Sequence, residues 1–88
     1  MAQRVVTIGS HSGLHARPAA TFVQAAGQAA VAVTIAVDGK EPVAASSLLG
    51  VMTLGARHGD QVRLTADGEG AEAVLDELAQ LLERELDA

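Results

Sequence analysis

The spacing of apolar residues divides the chain into alternating strand and helix segments. Arg4 to Ile8 is short and β-branched and stops at Gly9, which predicts a first strand. Gly9 to Gly13 has the composition of a loop. Ala16 to Gly27 is alanine-rich and predicts a helix. Pro18 fits only in its first turn, where a missing N–H costs nothing. Phe22, Val23 and Ala26 form its buried side. Val31, Val33, Ile35 and Val37 alternate with Ala32, Thr34 and Ala36, a strand with one buried face. Asp38-Gly39 then predicts a hairpin whose returning strand covers Lys40 to Ala44. Pro42 confines that strand to a sheet edge, because it cannot donate to a ladder.

Ser46 or Ser47 caps a short, nearly all-apolar helix that runs through Leu48, Leu49, Val51, Met52 and Leu54 to Gly55. Arg57-His58-Gly59-Asp60 predicts a turn, and Gln61 to Ala66 a strand with Val62 and Leu64 inward. Asp67-Gly68-Glu69-Gly70 is a further turn. Val74, Leu75, Leu78, Leu81, Leu82 and Leu86 lie on one face of a final helix. At about two heptads it is too short for an independent coiled coil, so it packs on the sheet. The order is β-α-β-β-α-β-α. Short strands with one apolar face need helices to cover them. The expected class is therefore α+β: a two-layer open-faced sandwich, with a four-stranded, mostly antiparallel sheet and three helices on one face. Residues 1–88 form a single domain on this reading.

Composition narrows the chemistry. The 88 residues are 49% hydrophobic, yet Phe22 is the only aromatic, so the core is aliphatic. There is no cysteine, which excludes disulfides and thiolate metal sites. No apolar run is long enough to span a bilayer and no secretory signal opens the chain, so a cytoplasmic protein without membrane insertion is expected. A formal net charge of −5 argues against nucleic acid as a partner. The distribution of acids says more than their sum. Residues 1–37 and 42–59 contain no Asp or Glu, whereas nine of the eleven acids lie from Asp60 onward. An acidic outer face on the last helix accounts for the cluster, but not for the two acid-free stretches. Such regions can hold a phosphate without repulsion and can meet an acidic partner.

One acid-free stretch surrounds His15, which immediately precedes the first predicted helix. There the first backbone N–H groups lack partners and the positive end of the helix dipole faces outward, an arrangement that favours an anion. The backbone of Ala16 and Arg17 supplies such N–H groups. The Arg17 side chain adds a guanidinium fork suited to phosphate oxygens. Imidazole titrates near neutrality, so much of it is neutral and nucleophilic at cellular pH. A histidine beside a helix start is otherwise a surface or capping residue; Arg17 and the lack of acids favour chemistry instead. The parts make a covalent phosphate acceptor, with a ring nitrogen attacking in line while Arg17 and the amides neutralise the equatorial oxygens.

"GLHARPAA" (Gly13 to Ala20) resembles the active-centre signature of the HPr family, the histidine-containing phosphocarriers of the bacterial sugar phosphotransferase system. "SSLLGVMTLGARHGDQV" (Ser46 to Val62) resembles that family's second signature, and the opening "MAQRVV" and the length are similar too. The resemblance spans essentially the whole chain. It implies the open-faced sandwich already derived. It also implies a carrier rather than an independent enzyme, with no cofactor: a phosphoryl group is accepted from phosphorylated Enzyme I, whose donor is phosphoenolpyruvate, and passed to the IIA domains of sugar permeases. His15 matches the family's acceptor, phosphorylated on Nδ1, and Arg17 matches the arginine that assists transfer. Partners dock through the first two helices, which makes Leu48, Leu49 and Met52 the docking candidates.

In many Gram-positive members a regulatory HPr kinase phosphorylates the serine at the head of the second helix, which Ser47 matches. A phosphate there would add negative charge to a face that meets acidic partners. The chain departs from the pattern in having Ser46 where a lysine or arginine usually stands, and "KEPVAAS" is one residue longer and includes Pro42. A second reading follows: a regulatory binding module acting through Ser47 and the apolar second-helix surface, as in relatives that have lost the histidine. The presence of His15 with Arg17 argues against that as the sole role. A third is the nitrogen-related branch of the same family, with the same chemistry and another IIA partner.

The remaining polar residues add little. His11 and His15 have an H-x-x-x-H spacing, but Gly13 interrupts it and no acid lies nearby, so no metal site is expected. His58 reads as a turn residue, while Arg57 is placed to add positive charge near the docking face. Ser12 and Thr21 read as capping or packing residues, Lys40 has no assigned role, and Arg63 and Arg84 read as solvated. Each apolar face is used once in the two-layer packing, so a monomer is expected.

Overall fold

A computed structural model of the chain describes residues 2–9, 13 and 16–84. Its elements are β1 (Ala2–Thr7), α1 (Ala16–Gly27), β2 (Val33–Ala36), β3 (Val43–Ala44), α2 (Leu48–Thr53), β4 (Gln61–Ala66) and α3 (Ala71–Glu83). The sheet order is β1-β4-β2-β3 and every pairing is antiparallel. This is the open-faced α+β sandwich that the apolar pattern predicts.

Register decides which side chains are inside. Val6 lies opposite Val62, and Ile35 opposite Leu64. All four are at most 3% exposed, beneath the helices. One residue along each strand, Val5, Arg63 and Thr34 are exposed on the uncovered face. Phe22 of α1, Val51 of α2 and Leu75 and Leu82 of α3 close the core from above. The first helix, the Gln61–Ala66 strand and the edge position of the Pro42 segment are as expected from the sequence.

Several boundaries differ. β1 begins at Ala2 and ends at Thr7 rather than covering Arg4 to Ile8, because six-residue β4 sets its length, from Ala2↔Ala66 to Thr7↔Gln61. Ile8 is nevertheless buried. β2 is shorter than its alternating pattern, leaving Val31 and Val37 half-buried outside it. Ala36 is buried although alternation assigns it to the wet face; its short side chain lies in an inner strand beside longer neighbours such as Arg63. The returning strand holds only Val43–Ala44, since the turn closed by Lys40 N–H to the Val37 carbonyl and then Pro42 take up the start of the predicted span. Leu54 caps α2 and Gly55 follows it at φ +67°. α3 starts at Ala71, before the first periodic residue Val74, after Gly70 at φ +81°. Leu86 lies outside the described residues.

Candidate functional site

Pro18 and Ala19 are buried in the first turn of α1 and anchor it in the core. Arg17, one residue earlier, is exposed, and Ala16 is the first helical residue. The Thr21 hydroxyl donates to the Arg17 carbonyl at 3.1 Å, one turn along, so Thr21 stiffens the turn that carries the guanidinium. No acid lies in that turn. His15, His11 and Ser12 lie outside the described residues.

Ile8, Gly9 and Gly13, the described residues between β1 and α1, are each held by close contacts. Ile8 donates its N–H to the Asp60 carbonyl and accepts from Gly59 N–H, both at 2.9 Å. Gly9 donates to the Leu82 carbonyl at 2.9 Å, and a Cβ at Gly9 would collide with the Glu83 carbonyl. Gly13 is buried at φ +71°, and a Cβ there would lie 2.5 Å from the Ala56 carbonyl oxygen and 2.8 Å from Arg57 Cα. Only glycine tolerates both that backbone conformation and that approach. The connection from α2 to β4 is thus the seat on which Gly13 rests. The seat is itself braced: Arg57 N–H donates to Asp60 Oδ2 and Asp60 N–H to the Arg57 carbonyl, both at 3.0 Å. Arg57 and His58 are exposed on it.

α2 packs against α1 through its buried side and turns two leucines outward. Leu49 is 72% exposed and Leu48 43%, while Met52 is half-buried. Ser47, not Ser46, is the N-cap: its Oγ accepts from Gly50 N–H at 3.1 Å, with extended backbone at φ −101°. At the other end Lys40 Nζ donates to the Leu54 carbonyl at 3.2 Å. Sequence reasoning left Lys40 without a role. The hairpin signal placed it in a turn, but nothing in its spacing showed that the turn folds over the end of α2. Arg63 and Arg84 are exposed, as expected. Arg4 instead pairs with Asp76 of α3, its Nη2 at 2.6 Å and its Nε at 2.9 Å from Oδ1.

Among the described residues no group of His, Asp or Glu is arranged to hold a metal ion. The surface assembled from α1, α2 and the 55–60 connection therefore combines an exposed arginine in an acid-free helix turn, a second exposed arginine and outward leucines. Such a surface suits an anionic group and an apolar-cored partner.

The family model for the PTS HPr component phosphorylation site matches residues 2–84. The chain is 51% identical over 82 residues to the phosphocarrier protein HPr of Streptomyces coelicolor, covering 93% of this chain and 88% of that one. It is 40% identical over 86 residues to the HPr-like protein Crh of Bacillus subtilis, covering 98% and 100%. An HPr crystal structure from Thermoanaerobacter tengcongensis superposes with a TM-score of 0.91 at 36% identity, covering 100% of this chain and 98% of that one.

Proposed function

The chain belongs to the HPr family of phosphocarrier proteins, and from that premise we propose that His15 is the phosphoryl acceptor of a relay from Enzyme I to the IIA domains of sugar permeases. The observation that carries this reading is the exposed Arg17 in an acid-free first turn, with Pro18 buried beneath it and Gly13 seated on Ala56 and Arg57. In the proposed step the lone pair of His15 Nδ1 attacks phosphorus in line. The bond from phosphorus to the donor atom breaks as the new N–P bond forms, and the donor leaves with its electron pair. Arg17 and the backbone N–H groups of Ala16 and Arg17 stabilise the equatorial oxygens, as phosphoryl transfer requires. The same donors hold the phosphohistidine until the step runs in reverse toward a IIA acceptor. The protein is then a stoichiometric intermediate rather than an enzyme with its own turnover.

Docking is assigned to Leu48, Leu49 and Met52, with the acid-free stretches 1–37 and 42–59 suited to acidic partners. Among the described residues no helix is long and apolar enough to cross a membrane; a cytoplasmic location belongs to this proposal. So does a monomeric working unit.

The likeness to Crh, the catabolite repression HPr of Bacillus subtilis, favours a second, regulatory reading, which we assign to Ser47. A phosphate on its Oγ, transferred by an HPr kinase, would displace the Gly50 cap bond and put negative charge beside Leu48.

Incubation with Enzyme I and labelled phosphoenolpyruvate tests the relay. Acid-labile, base-stable label is expected in the protein and absent from His15→Ala, with transfer slowed in Arg17→Ala and folding unchanged. A fully active Enzyme I that leaves the protein unlabelled rejects the carrier role.

A further inference from the structure

Between the end of α1 and the middle of α3 lies a groove of about 350 Å³. Leu78 is its buried member, while Ala25 and Ala29 on one wall and Val74 and Leu81 on the other are half-buried. Val74, Leu78 and Leu81 recur at i, i+4 and i+7, one continuous stripe of α3. The small alanines opposite leave room that larger side chains would fill. The two walls differ in charge. Residues 18–37 hold no charged side chain, whereas α3 carries Glu72, Asp76, Glu77 and Glu83 and no Lys or Arg within Ala71–Glu83. Asp76 is engaged by Arg4 of β1, but Glu77 is exposed and lines the groove itself. The last turn of α1 has no basic residue, so the negative end of its dipole stands uncompensated beside Gln28, which also lines the groove. The groove is thus apolar within and negative along its rim, and no Lys or Arg lines it.

We infer that this groove docks an amphipathic, basic-flanked helix of a partner protein. The partner's apolar stripe lies between Ala29 and Leu81, its Lys or Arg flank over Glu77 and its neutral flank against α1. A groove between two helices accepts a third by the same packing of ridges that joins helices within a domain. A second copy of this chain does not fit the charge: α1 has Arg17 as its only base, and α2 and α3 have none. An anionic lipid surface does not fit either, because the acids of α3 repel it. The groove is separate from the surface formed by α1 and α2, since Ala25 lies about 12 Å along α1 from Arg17 at 1.5 Å per residue. The inference goes beyond the carrier reading and uses none of its chemistry.

The probe is a synthetic helix of about 14 residues, roughly the length of α3, with a leucine stripe and lysines along one flank. Titrated into the full chain, it is expected to shift the backbone amides of Ala25, Ala29, Val74 and Leu81. The same peptide with glutamates on that flank should bind at least about tenfold more weakly. Ala29→Leu fills the groove and should weaken binding about tenfold. Glu77→Lys reverses the rim charge at an exposed position and should weaken it about threefold, so the inference stays open to refutation even where Ala29→Leu fails to fold. Glu41→Lys makes the same change of net charge on the β2–β3 hairpin and should leave the affinity unchanged. Equal affinity for the two peptides, equal affinity in wild type and Glu77→Lys, or shifts confined to α2 overturns the inference. Sedimentation of the free protein supplies a further check: a dimer that Ala29→Leu dissociates would assign the groove to a second copy and overturn it too.

Discussion

The only lysine in the chain, Lys40, reaches from the β2–β3 hairpin to the Leu54 carbonyl, 3.2 Å away, at the end of α2. The carbonyls of a helix's last turn lack intrahelical donors, and a partly buried ammonium is a strong substitute. Lys40 thus ties the sheet edge to the start of the 55–60 connection. Lys40→Met keeps most of the stem and removes the donor. It is expected to lower unfolding free energy by about 1.5 kcal/mol, the low end of the range for a hydrogen bond to a charged group. Urea denaturation measures this; an unchanged midpoint would show that water replaces the ammonium without cost.

Gly13 and Gly39 separate two costs that usually travel together. Both have positive φ, +71° and +82°. A Cβ on Gly39 meets nothing within 4 Å, whereas one on Gly13 meets the Ala56 carbonyl at 2.5 Å. Gly39→Ala should cost only the left-handed strain, about 1 kcal/mol. Gly13→Ala must in addition push residue 13 away from Ala56 and Arg57 and should cost about 2–4 kcal/mol when steric conflict is added to strain. Phosphoryl transfer should fall in Gly13→Ala and not in Gly39→Ala. Equal losses of stability would show that the seat yields freely.

Local rules account for what the sequence made legible. Ala16 to Gly27 could be bounded to the residue because Pro18 and Gly27 punctuate it and Phe22 marks its inner face. Gln61 to Ala66 was equally clear because its alternation is strict and turns flank it. The misjudged ends were those that pairing partners decide. Arg4 to Ile8 contains the first strand's centre, but its start at Ala2 depends on Ala66 across the ladder. At the site, Arg17 and Ser47 were visible as types in a local pattern. The close approach of Gly13 to Ala56 and the reach of Lys40 to Leu54 were not, since each joins residues far apart in sequence through packing that no periodicity records.

Ser47 offers a charge experiment with a built-in structural control. Its Oγ caps Gly50 N–H, so Ser47→Ala should lose about 1 kcal/mol of stability. Aspartate is also a good cap, so Ser47→Asp should keep the wild-type stability while placing a negative charge beside Leu48. Under the docking proposal Ser47→Asp weakens binding to an acidic partner and Ser47→Ala does not. Calorimetry of both variants against Enzyme I checks this. Equal affinities would remove the electrostatic part of the regulatory reading.

Leu49 is the most exposed large apolar side chain among the described residues, at 72%, on a helix whose opposite side buries Val51 completely. Its outward position cannot be a packing requirement, because little of it touches the core. Truncation to Ala should leave stability within about 0.5 kcal/mol of wild type, as for most surface substitutions. If this face meets partners, Leu49 sits where apolar anchors concentrate, and Leu49→Ala should weaken Enzyme I binding about tenfold. The contrast with Val51→Ala is diagnostic. That change should cost about 2–3 kcal/mol of stability through lost burial and a cavity, and impair binding only as folding fails. Parallel melts and binding isotherms for the two variants separate a recognition residue from a core residue on the same short helix. A Leu49→Ala protein that binds as tightly as wild type would move the docking site away from α2.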